Sequence, residues 1–136
     1  MSANPIGQPL PRREDHRFLV GRGQYTDDIT LPRQTYAVFV RSPYAHARIR
    51  HLDLSAAKEA PGVRLVLSGA DFRPFGGLPC GWLITGSDGQ PMKEPRHPVL
   101  ADGVLRHVGE PLALVVADSL AQAQAAAALV MLDVDE

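Results

Sequence analysis

A chain of 136 residues, 45% of them hydrophobic, suits one globular domain with a core of modest size. Charged residues make up 21% and the formal net charge is −1, so there is no basic excess to neutralise phosphates, which excludes a dedicated nucleic-acid binder. A lone cysteine, Cys80, excludes an internal disulfide and suits a reducing compartment; no apolar run approaches the roughly 20 residues of a membrane span, and no basic-then-apolar leader is visible. The cytoplasm is therefore the expected location, and neither a membrane nor a nucleic acid is an expected partner.

Residues 1–33 carry Pro5, Pro9, Pro11 and Pro32 together with the densest charge in the chain. Proline removes backbone donors and disfavours helix at the preceding residue, which predicts an extended arm. "TYAVFVRS" (35–42) predicts a strand with apolar residues on both faces, and "ARIRHLDL" (47–54) a half-exposed one. "LSAAKEAPG" predicts a short helix capped by Ser55 and stopped at Pro61-Gly62, with a strand at 63–69 after it.

Residues 71–98 dissolve into Pro, Gly and polar residues; a loop of that length is more often functional or interface-forming than idle. Asp102-Gly103 then marks a turn, and "PLALVVA" (111–117) reads as a buried strand. Ser119-x-x-Gln122 has the spacing of a capping box, ahead of alanines that let a helix sit close to a sheet. "LVMLDVD" closes the chain as a strand, and ending on one suggests a piece of a longer polypeptide. Strand–helix–strand thus occurs twice, in an α+β chain with two short helices on a mixed sheet over 34–136.

No residue constellation can run a reaction unaided. Gly21-Arg22-Gly23 begins like a phosphate loop but lacks the third glycine and the following helix, so its glycines more naturally permit a tight turn or a close approach. His46 and His51 point to opposite faces of a strand, and no thiol or second carboxylate completes a metal set. Cys80 has no sequence-adjacent base to activate it, and no serine sits in a nucleophile elbow. No catalytic, cofactor-binding or metal-ligating residue is assigned.

Several stretches in matching order resemble the N-terminal α/β-hammerhead domain of the molybdenum-hydroxylase large subunit, the xanthine dehydrogenase, aldehyde oxidase and aerobic carbon monoxide dehydrogenase family. They are "RREDHRFLVGRGQYTDDITLP" (Arg13, Glu14, Asp15, Arg17, Phe18, Gly21, Gly23, Tyr25, Asp27, Asp28), "VRSPYAHARIRHLDLSAAKEAPGV", "VLSGAD", "PVLADGVLRHVGEPLALVVADS" and "LVMLDVDE". The resemblance implies a structural, non-catalytic domain. Its partners would be a downstream molybdopterin-binding domain, an iron–sulfur subunit or domain and a flavin subunit. The cofactors of the assembled enzyme would be molybdopterin with molybdenum, iron–sulfur clusters and FAD, none bound by this chain. Cys80 does not sit in the family's copper-ligand motif.

The four arginines and four acids of 12–28 balance, and an arm can bury them only in pairs. This predicts a docking surface of Arg13, Arg17, Phe18, Leu19, Gly21, Gly23, Tyr25 and Asp27, with the aromatics and Leu19 as anchors. The competing expectations are an arm folded on its own domain, and a free-standing binding module with no redox role. In isolation, apolar surface left uncovered is expected to drive self-association.

Overall fold

The computed structural model describes residues 6, 7, 9 and 12–136, in two units, Met1–Pro32 and Arg33–Glu136. The extended reading of 1–33 at 1–5, 8, 10 and 11 lies outside the described residues. Elsewhere in that unit it is corrected: Asp15–Leu19 forms a short helix, α1, and Thr26–Asp28 a 3-10 turn. The acid at Asp15 begins α1 by accepting the Arg12 main-chain N–H at 3.2 Å and pairing with its guanidinium at 3.0 Å. Such local bonds hold a turn of helix that periodicity over five residues cannot reveal.

In the second unit, β1 (Tyr36–Arg41) and β2 (Ala47–Asp53) lead to helix α2 (Ser55–Glu59) and β3 (Val63–Ser68). Strands β4 (Val104–Leu105) and β5 (Pro111–Ala117) follow, then helix α3 (Leu120–Ala127) and β6 (Met131–Asp135). The strands pair in the orders β1-β5-β3 and β4-β2-β6, with every pairing antiparallel. The α+β hammerhead class stands, while two antiparallel sheets take the place of one mixed sheet. The stretch from β2 to β3 is shorter than the dozen or so residues that a parallel crossover requires. Each strand–helix–strand passage instead carries the chain from one sheet to the other.

Strand β5 is the centre of its sheet. Opposite it Val40 pairs with Ala113 but Arg41 with Pro111, which leaves Leu112 as an extra residue. That bulge breaks the alternation and turns both Leu112 and Ala113 into the core. Ala47, Ala101 and Leu105 join them between the sheets, while Ala57, Val66, Val115 and Ala126 form a second cluster under the helices. Val40, Leu54 and Val130 flank both clusters and so couple them. Strand β1, expected to be covered on both faces, is an edge: Phe39 is exposed, with the Arg41 guanidinium 5.5 Å from its ring centroid.

The helix ends show how local chemistry decides. Ser119 caps α3 as expected, its Oγ accepting the Gln122 N–H at 3.3 Å, and Ala123 and Ala126 are fully buried against the sheet. Ser55 does not cap α2: Asp53 Oδ1 instead accepts both the Ser55 N–H at 2.9 Å and its hydroxyl at 2.5 Å. An acid two residues ahead closes this turn on its own, which displaces the serine. Ala60, extended ahead of Pro61, ends the helix.

Gly69, after β3, leaves no room for a side chain, since a Cβ there would stand 2.3 Å from the Ala101 carbonyl oxygen. Gly69→Ala must push apart two backbones at the edge of the main core. It is expected to cost on the order of 1–3 kcal/mol in denaturant titration; an unchanged midpoint would show that the contact is not tight.

Candidate interface

The expected docking residues gather on α1 and the turn behind it. Gly21, with φ +70°, is the left-handed residue just past the helix: its N–H bonds the Phe18 carbonyl at 3.1 Å, and the Arg22 N–H bonds that of Arg17 at 2.9 Å. This pair of bonds is the Schellman closure of a helix C-terminus. Gly21-Arg22-Gly23 therefore lies at the negative, carbonyl end of a helix, the wrong pole for a phosphate. Gly23 serves a close approach, because a Cβ there would meet the Phe18 ring at 2.7 Å.

Phe18 stacks on Tyr25 with centroids 5.7 Å apart and planes inclined by 13°, and the Arg17 guanidinium lies 5.0 Å from the Phe18 centroid. Tyr25 is held by its own N–H, which Asp28 Oδ2 accepts at 2.9 Å. Leu19 stands 85% exposed beside the stack. With Arg12, Glu14 and Asp15, these three apolar residues line an open cleft of about 610 Å3. Arg12 and Asp15 were not among the expected interface residues; opposite charges three residues apart were the available signal. Arg13 and Asp27 are exposed and make no ion pair among the described residues.

The charges of the second unit behave differently. Arg64 grips Asp118 with two bonds of 2.7 and 2.8 Å, and Arg73 grips Asp102 with two of 2.6 and 2.7 Å. Arg50 pairs with Asp135 across the β2–β6 edge. Buried Glu110 takes the Arg106 main-chain N–H and lies 3.5 Å from its guanidinium. In 12–28, by contrast, Arg12–Asp15 is the one ion pair among the described residues.

The remaining sequence candidates are dispersed. His46, His51, His97 and Cys80 are exposed or half-exposed, and among the described residues no group of three or more metal-ligating side chains gathers. A second bulge, at Arg50, turns Arg50 and His51 both outward. Segment 71–98 is organised rather than structureless: a 3-10 turn (Gly69–Phe75) leads into an irregular hairpin with bridges Leu78–His97 and Thr85–Pro91. Among the described residues no helix is long and apolar enough to cross a membrane.

The paired acids carry a pH signature. Arg73 hydrogen-bonding holds the Asp102 carboxyl below the usual range, Arg64 does the same for Asp118, and the Ser68 N–H and hydroxyl do so for Asp71. A depressed carboxylate stabilises the fold above its ordinary pKa, and that contribution is lost as pH falls through the lowered value. Unfolding free energy is thus expected to decline below about pH 4. An Asp102→Asn, Asp118→Asn double variant should lose less on acidification, as followed by urea titration at stepped pH; a parallel decline would remove these pairs from the account.

Residues 20–136 match the family described as aldehyde oxidase and xanthine dehydrogenase, a/b hammerhead domain. The nicotine 6-hydroxylase large subunit of Paenarthrobacter nicotinovorans is 45% identical over 136 residues, covering 99% of this chain and 16% of that protein. The crystal structure of quinoline 2-oxidoreductase from Pseudomonas putida 86 superposes with a TM-score of 0.82 at 41% identity, over 98% of this chain and 16% of that one. A Cu,Mo-CO dehydrogenase in its carbon monoxide-reduced state gives 0.77 at 36% identity, over 93% and 15%. The chain spans about a sixth of the length of these proteins.

Proposed function

Because this chain belongs to the aldehyde oxidase and xanthine dehydrogenase α/β-hammerhead family, we propose that it works as the structural, docking part of a molybdopterin-dependent oxidoreductase large subunit. In this reading residues 1–33 form a docking arm and 34–136 the hammerhead domain. The chemistry is a hydroxylation or a carbon monoxide oxidation, run by molybdenum on a neighbouring molybdopterin-binding domain, with electrons leaving through iron–sulfur clusters and flavin. An iron–sulfur cluster needs several thiolates and this chain has one cysteine. Its glycine motif faces a phosphate with carbonyls rather than N–H donors. These residues therefore do not fit the cofactors, and no step of the reaction is assigned to them.

One observation carries the proposal: arginines elsewhere are matched to acids, whereas Arg13, Arg17 and Arg22 form no ion pair among the described residues. Arg17 lies over the Phe18–Tyr25 stack, with Leu19 exposed beside it. Aromatic and arginine groups held rigid at a surface are the residue types that dominate binding energy once a partner desolvates them. The partner is the iron–sulfur subunit or a neighbouring domain, offering acids to the guanidinium groups and an apolar seat to Leu19. Arg17→Glu is expected to weaken co-purification of the large subunit with its iron–sulfur partner by tenfold or more, on the scale of a hot-spot contact. Co-purification at the original level, with the thermal midpoint also unchanged, would sink the docking role.

A further inference from the structure

The hairpin between Gly76 and His97 presents a second surface, of opposite character. Leu78 donates its N–H to the His97 carbonyl at 2.7 Å, Met92 to Ile84 at 2.9 Å, and Gly86 to Gln90 at 2.8 Å, so the two limbs run together to a tip near Asp88. Its polar side chains are turned inward on the hairpin itself. The Glu94 carboxylate accepts the Cys80 N–H at 3.3 Å, and the Arg96 guanidinium donates to the Gly76 carbonyl at 3.1 Å. Its apolar side chains face outward: Trp82 is 79% exposed, Leu83 65% and Ile84 59%, and Met92 lies across the ladder from Ile84. An isolated two-stranded hairpin is marginal in water, and a tryptophan, a leucine and an isoleucine in succession are seldom left bare.

We infer that this hairpin is a clamp for the remainder of its own large subunit, seated in an apolar groove of the catalytic part of the same polypeptide. This rests on the family role proposed above. Two observations select that occupant over a separate subunit or a second copy. The surface is charge-poor and aromatic, the composition of a permanent interface rather than of an encounter steered by charge. The chain also spans only 16% of the nicotine 6-hydroxylase large subunit, so a subunit of that kind supplies ample polypeptide tethered to the clamp at high effective concentration. The arginine-rich segment 12–28 has the other chemistry, suited to a partner that arrives by diffusion.

A photo-crosslink separates the occupants. This chain is exchanged for its matching 16% of the nicotine 6-hydroxylase large subunit, and benzoylphenylalanine is placed at position 82 in the assembled complex. The expected product is an internal crosslink, mapped by peptide mass spectrometry, with the subunit still migrating at its own mass. A shift to the mass of large plus small subunit, or of two large subunits, would overturn the inference, as would no crosslink at all. The same probe at position 19 reports on the arginine-rich surface: failure there with success at 82 strikes the earlier proposal alone, and the reverse strikes this one. A second measurement needs no assembly. In the 136-residue chain, Trp82→Ser, Leu83→Ser and Ile84→Ser together are expected to move the thermal midpoint by less than about 2 °C, because the side chains lean on nothing of their own. A loss well beyond that would place the hairpin in this chain's own core and end the clamp.

Discussion

Strand β5 is the constraint on which the second unit depends. It is hydrogen-bonded on both edges, to β1 and to β3, and covered on both faces, so every other element is placed by reference to it. Val115 sits under the helices, whereas Leu112 and Ala113 reach the space between the sheets only because the bulge opposite Arg41 breaks the alternation. Each fully buried aliphatic side chain is worth roughly 1.5–3 kcal/mol. A strand holding several of them anchors the fold, while short edges such as β4 contribute little by themselves.

Around that anchor the charges divide by purpose. The bidentate pairs Arg64–Asp118 and Arg73–Asp102 are exposed and add little to stability in high dielectric, yet their fork geometry fixes the ends of elements relative to one another. Glu110 is a different case: its buried carboxylate is tolerable because Arg106 supplies both a main-chain N–H and a guanidinium. Segment 12–28 spends its bonds on closing a helix and stacking two rings, which leaves its arginines available. In the proposed reading that availability is the function.

The strands, the two helices of the second unit and the α+β class were legible because each rests on a property one sequence displays: alternation at 47–54, an apolar run at 111–117, and serine ahead of alanines at 119. What escaped depends on pairing. Nothing in "TYAVFVRS" says that β1 lies at an edge, so Phe39 looked buried. Nothing local announces a bulge at Leu112 or at Arg50, because register is a property of two strands. Helix α1 escaped because five residues between prolines show no period; the glycine at 21, placed where a helix would need a left-handed residue, was the one clue. The hairpin at 76–97 was read as a loop because its ladder is discontinuous and rich in glycine and proline.

The crossed passages between the sheets also set an order in time. Strand β2 is made early, yet its long partner β6 is the last strand to be translated, and β3 must wait for β5. Neither sheet can form while the ribosome still holds the final segment, so the first half of the chain emerges with bare edges and must be kept from neighbouring nascent chains. Long-range pairing of this kind closes slowly even after release. The interlocking that makes the finished unit hard to pull apart thus makes the growing chain a natural client for holding chaperones.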